Sequence, residues 1–155
     1  MKIVVIGAGY VGLVSSVCFA DFGHDVICVD INKEKIKQLR NGIIPIYEPG
    51  LDKILKKNIE AGRLSFSLDL ERALKDTFVV FIAVNTPERR GSGEADLAYV
   101  MEAAKNIANF AENNTLVITK STVPLGTNRR VHSVIKKENP NLIFDIASNP
   151  EFLRE

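Results

Sequence analysis

The stretch KIVVIGAGYVGLVSSVCFADFGHDVICVD, residues 2–30, decides the fold. Residues 3–6 are an unbroken, mostly β-branched apolar run, the pattern of a strand buried on both faces. Glycines follow at 7, 9 and 12, and residues 11–22 then carry apolar side chains at helical spacing as far as Gly23. Residues 26–29 are a second apolar run, closed by Asp30. Strand, glycine turn, helix and strand make a βαβ unit, whose crossover is right-handed.

The same alternation continues outward. INKEKIKQL at 31–39 predicts a helix with Ile31, Ile36 and Leu39 near one side and charges opposite, stopped by Asn41 and Gly42. Residues 41–50, NGIIPIYEPG, read as a loop with two prolines, and 51–60 as an amphipathic helix halted by Ala61 and Gly62. A short strand at 64–67 and a short helix at 70–75 lead to a strongly apolar strand at 78–84. The loop NTPERRGSGEAD follows, then a helix at 97–111, a strand at 115–119, a helix at 126–137 stopped by Asn139-Pro140, and a strand at 142–147. Strands alternating with helices predict an α/β fold with a doubly wound parallel sheet. No repeat, low-complexity tract or linker interrupts it, so residues 1–155 read as one domain.

Composition narrows the function classes. With 20 basic and 19 acidic side chains the net charge is +1, which offers no attraction to nucleic acid or an anionic membrane. No segment reaches the roughly 18 apolar residues of a membrane span, since Gly7, Gly9 and Gly12 break the N-terminal run. Cys18 and Cys28 are too few for a disulfide framework and suit a reducing cytoplasm. No His, Cys or carboxylate group has metal-ligand spacing, so no metal is expected. His24 and His132 read as structural, and Cys18 and Cys28 as small hydrophobes inside a helix and a strand, not as nucleophiles.

Gly7-Ala8-Gly9-Tyr10-Val11-Gly12 is a GxGxxG that leaves a strand and opens a helix. Gly7 makes the tight turn, Gly9 admits a pyrophosphate to the backbone, and Gly12 lets helix and strand pack closely. The helix N-terminus offers unpaired N–H groups and partial positive charge to the phosphates. Asp30, at the end of the second strand, stands where a carboxylate accepts a ribose 2′-hydroxyl, and it would repel a 2′-phosphate. The pattern is a Rossmann-type dinucleotide site and favours NAD over NADP.

Five strings extend this: GAGYVG at 7–12, PIYEPGL at 45–51, AVNTP at 83–87, KSTVPLGT at 120–127 and NPEFLRE at 149–155. In order and spacing they resemble the UDP-glucose/GDP-mannose dehydrogenases across essentially the whole chain. YEPGL, VNTP and STVP look most like the UDP-glucose 6-dehydrogenase branch, whereas NPEFLRE is shared with the GDP-mannose enzymes.

The resemblance implies an NAD-binding domain whose family oxidises a sugar C6 alcohol to a carboxylate in two hydride transfers, with two NAD. A cysteine thiolate traps the intermediate aldehyde and water hydrolyses the resulting thioester. It implies that Gly7, Ala8, Gly9, Tyr10, Val11 and Gly12 hold the pyrophosphate, and that Asp30 and Lys35 take the adenosine ribose. Val84, Asn85, Thr86 and Pro87 would line the cofactor cleft, and Ser121 and Thr122 would lie on the nicotinamide side. Glu151 matches the catalytic glutamate, which orients or activates the hydrolytic water. Glu151, Phe152, Leu153, Arg154 and Glu155 match a substrate-contacting segment, with Glu155 also a cofactor contact.

By composition alone Lys35 reads as a solvated helix lysine, and Thr122 as a turn cap before Pro124. Glu48 receives no role, and Arg89 and Arg90 read as a solvated loop. The family's cysteine, its catalytic lysine, a central helix and the UDP-sugar domain would lie beyond Glu155. The chain is therefore expected to be cut from a longer, homo-oligomeric parent and to be inactive alone.

Other readings stand beside this one. GDP-mannose or UDP-N-acetylmannosamine dehydrogenases share its motifs in part. A hydroxyacid or 6-phosphogluconate type of NAD dehydrogenase, or a nucleotide-sensing regulatory module, explains the glycines and Asp30 but leaves PIYEPGL and NPEFLRE idle.

Overall fold

In a computed structural model, which describes residues 1–89, 91 and 93–152, six parallel strands form one sheet in the order β3-β2-β1-β4-β5-β6. The strands are β1 (Lys2–Ile6), β2 (Asp25–Val29), β3 (Leu64–Ser67), β4 (Val79–Ile82), β5 (Thr115–Thr119) and β6 (Phe144–Ser148). The helices are α1 (Tyr10–Asp21), α2 (Lys33–Arg40), α3 (Leu51–Glu60), α4 (Leu70–Leu74), α5 (Ala98–Phe110) and α6 (Thr127–Glu138). The chain runs outward from β1 in one direction, then returns to β4 on its other side and runs outward again. That reversal leaves a crevice beyond the carboxyl ends of β1 and β4.

The apolar run of β1 is continuous because successive side chains enter different cores. Ile3 and Val5 pack with Leu13, Val17, Leu39 and Leu55 of α1, α2 and α3. Val4 and Ile6 pack with Val100, Ile107, Val131 and Ile135 of α5 and α6. Phe19 of α1 stacks on Phe81 of β4, ring centroids 4.8 Å apart. Cys28 is buried in β2, and burial pushes its thiol up to about 12. It stays protonated and acts as packing, as expected of a residue at that place in a central strand.

The glycine turn is sterically tight at two points. Gly7 has φ +108°, and a β-carbon there would stand 2.4 Å from the Ala83 carbonyl oxygen. A β-carbon on Gly12 would stand 1.9 Å from the Gly7 carbonyl oxygen, so α1 packs against the turn with backbone alone.

Three elements differ from the sequence expectation by two residues at one end. Periodicity predicts Ile31 on the apolar side of a helix from 31, yet it lies outside α2 and is 87% exposed. Asp30 Oδ1 accepts the Asn32 N–H at 2.9 Å, and Asn32 then caps α2 by accepting the Lys35 N–H at 3.0 Å. These two local bonds outcompete helical geometry at Ile31. The last strand starts at Phe144, not 142, because the Leu142 N–H bonds the Asn139 carbonyl in a turn. β4 covers Val79–Ile82, not 78–84, since the Lys120 and Ser121 N–H groups both converge on the Ile82 carbonyl and end the ladder.

Among the described residues no helix is long and apolar enough to cross a membrane, and no group of three or more His, Cys, Asp or Glu is placed to hold a metal. Gly12→Ala should destabilise the fold by about 1–3 kcal/mol, the usual range for forcing atoms into a filled space. Urea unfolding followed by circular dichroism measures it, and an unchanged midpoint would mean that α1 and the turn separate freely.

Candidate functional site

A cleft of about 830 Å³ opens at the carboxyl ends of β1, β2 and β4. The glycine turn forms its floor. Gly9 precedes the first residue of α1, and no side chain caps that end. The first-turn N–H groups of α1 are therefore open to an outside anion.

Asp30 closes one side. Its Oδ2 accepts the Ala8 N–H at 2.8 Å and the Lys35 ammonium at 3.1 Å, while Oδ1 accepts the Asn32 N–H. A carboxylate has about four lone-pair sites, so one remains for a ligand hydroxyl. Burial pushes the Asp30 carboxyl up, but the bonds from Asn32, Ala8 and Lys35 outweigh it and hold it below its usual value. Lys35 is thus no solvated helix lysine: its Nζ lies on Asp30 with a quarter of its side chain exposed. The farther wall comes from Leu68, Asp69 and Glu71 and from Tyr99, Glu102 and Asn106 of α5, none of which the motifs singled out.

Val84 and Asn85 line the opposite side, with the Asn85 Oδ1 3.3 Å from where a Gly9 β-carbon would stand. Beyond them, three loops are tied together. Ser121 donates its hydroxyl to the Val84 carbonyl at 2.7 Å, and Thr86 donates to the Thr122 carbonyl at 3.0 Å. Thr122 donates to the Glu151 carbonyl at 2.6 Å. Its hydroxyl caps no helix, since α6 begins later, at Thr127 after Gly126. Lys120 extends its ammonium to Glu151 Oε2 and Asn149 Oδ1, each at 3.1 Å. Thr86, Ser121, Thr122 and Glu151 belong to this cluster, the Pro87 carbonyl accepts the Asp96 N–H at 2.7 Å, and none of the five lines the cleft itself. Phe152 is 79% exposed next to it, whereas Leu153, Arg154 and Glu155 lie outside the described residues.

Two residues gain contacts that sequence reasoning left unassigned. Glu48 accepts a hydrogen bond from the Tyr10 hydroxyl, fastening the 41–50 loop beside the glycine turn. That bond holds the Tyr10 phenol above its usual value. Lys120 opens the string KSTVP, and its one signal in the sequence is a lysine directly after a buried strand. Arg89 pairs with Asp96 at 3.8 Å across a small hairpin closed by the Glu88–Ala95 bridge, and Arg90 lies outside the described residues.

The family model for the NAD binding domain of the UDP-glucose/GDP-mannose dehydrogenase family matches residues 1–155. The chain belongs to this family. It is 57% identical to a UDP-glucose 6-dehydrogenase of Rhizobium meliloti over 155 residues, all of this chain and 36% of that protein. A UDP-glucose dehydrogenase from Pyrobaculum islandicum shares its structure with a TM-score of 0.90 and 43% identity, over 99% of this chain and 36% of that one. A GDP-mannose dehydrogenase from Pseudomonas aeruginosa does so with a TM-score of 0.92 and 37% identity, over 100% of this chain and 37% of that one. The chain thus spans about a third of the length of these relatives. As an NAD binding domain of the family, it takes NAD as its cofactor.

Because the Asp30 carboxyl is held below its usual value, the stability it contributes is present above its unfolded pKa of about 4 and lost as pH falls through the folded value. Asp30→Asn should therefore be less stable than the parent chain at pH 7, with the gap closing below about pH 4. Urea midpoints across that range check this, and a gap independent of pH would mean the carboxylate charge contributes nothing.

Proposed function

We propose that this chain is the NAD-binding part of a cytoplasmic enzyme that oxidises UDP-glucose at C6 to UDP-glucuronate, consuming two NAD. The observation that carries the chemistry is the convergence of the loops after β4, β5 and β6 beside the cleft, with Glu151 at their meeting point. UDP-glucose is the proposed sugar nucleotide because the relative at 57% identity bears that activity in its name, while the GDP-mannose relative stands at 37%.

The residues fit NAD on two counts. The glycine turn presents backbone and a bare helix N-terminus where a pyrophosphate needs them. Asp30 keeps one lone-pair site for a ribose hydroxyl. In this reading Gly7, Ala8, Gly9, Tyr10, Val11 and Gly12 hold the phosphates, with Asp30 and Lys35 at the adenosine ribose. Val84, Asn85, Thr86, Pro87, Ser121 and Thr122 lead toward the nicotinamide, which when bound supplies the hydride acceptor.

Glu151 is the proposed general base for thioester hydrolysis. Its Oε2 is taken by Lys120, and Oε1 has no protein partner among the described residues, so it is available to a water. Phe152, and in this reading Leu153, Arg154 and Glu155, contact the sugar nucleotide, with Glu155 also reaching the cofactor. The thiolate and the uridine wall would come from the part of the longer protein that this chain does not span. Both cysteines here are unpaired, and the thiol of Cys28 is buried and protonated, unsuited to trapping an aldehyde.

Glu151→Gln in the full-length enzyme should slow hydrolysis of the thioester more than the first hydride transfer. Intact-protein mass spectrometry after addition of UDP-glucose and NAD should then show a covalent enzyme–sugar adduct. An unmodified mass with normal turnover would remove Glu151 from the mechanism.

A further inference from the structure

We infer that Lys120 is a positioning residue for Glu151: its ammonium fixes the carboxylate so that one oxygen is held and the other meets the hydrolytic water. The inference rests on the reading of Glu151 as the base. Lys120 has 11% of its side chain exposed, against 43% for Glu151, so the cation is the more deeply set partner. A charge that far from water needs an opposite charge, and both of its acceptors come from the segment 149–151.

Holding the backbone of that segment does not require the ammonium. β5 and β6 pair from Thr115↔Phe144 to Thr119↔Ser148. The Asn149 N–H then bonds the Thr119 carbonyl at 2.9 Å and the Glu151 N–H bonds the Lys120 carbonyl at 3.3 Å. Thr122 takes the Glu151 carbonyl. These bonds place the Glu151 α-carbon but leave its side-chain torsions free. Among the described residues only Lys120 forms a hydrogen bond or ion pair with the carboxylate. A general base must present its lone pair within hydrogen-bond reach of the proton it takes, and a carboxylate free to rotate spends little time there.

The test compares single turnovers of the full-length enzyme, with NADH absorbance reporting the first hydride transfer and mass spectrometry reporting decay of the enzyme–sugar adduct. Lys120→Met should slow adduct decay about tenfold or more while the first hydride transfer stays within about twofold. NAD affinity should be unchanged, which also reports a folded site. Lys120→Arg, which keeps the charge and the reach, should restore most of the decay rate. Lys120→Met added to Glu151→Gln should cost nothing further, because the residue acts through that carboxylate.

Equal slowing of both steps, loss of NAD binding, or no rescue by Lys120→Arg would make Lys120 a structural residue and overturn the inference. Additive losses with Glu151→Gln would overturn it as well, since Lys120 would then act elsewhere. If Glu151→Gln itself left adduct decay untouched, the reading of Glu151 would fall first, and this inference with it.

Discussion

The Asp30 carboxylate joins three things that the fold must keep in register. It stands at the end of β2, accepts the Ala8 N–H of the glycine turn, and accepts the Asn32 N–H that sets where α2 begins. A parallel sheet leaves its carboxyl-end loops without a neighbouring hairpin to shape them, so each needs its own restraint. Here one side chain restrains two loops and draws Lys35 of α2 onto the same oxygen. All three of these donors belong to the protein, and Asp30 itself lines the cleft.

The glycine turn is constrained from beneath in the same economical way. With a missing β-carbon at Gly7 and another at Gly12, the turn rests directly on the backbone of Ala83, just after β4, and on α1. The reversal of strand order at β1 and β4 makes that closeness useful, because the loop after β4 then enters the cleft beside the turn. From there Val84, Ser121, Thr122 and Glu151 are linked by hydroxyl-to-carbonyl bonds, each spanning to the next strand end. Short polar side chains thus carry order from the cofactor side of the molecule toward Glu151.

Much of this was legible in the sequence because the signals are local. The run IVVI, the glycines and the terminal Asp30 each belong to one strand and turn, and every expected strand and helix is present within a few residues. Ile31 was misplaced because helical periodicity counts apolar residues and ignores an Asx turn two residues long, which here decided the start of α2. The contacts of Glu48 and Lys120 are not legible in the sequence for a different reason. Their partners, Tyr10 and Glu151, lie 38 and 31 residues away in the chain, and no spacing rule reaches across a sheet. The wall from Tyr99, Glu102 and Asn106 escaped notice likewise, since polar residues on an amphipathic helix look like a solvated side until the cleft is seen.

In the proposed function Asp30 both braces the glycine turn and selects the dinucleotide by accepting its ribose hydroxyl. Calorimetric titration of the chain with NADH and with NADPH tests it most directly. NADH should bind at least about tenfold more tightly, because a 2′-phosphate would meet an ionised carboxylate in a partly buried site. Asp30→Ala should narrow that gap. Equal affinities in the parent chain, or a gap unchanged by Asp30→Ala, would contradict the claim.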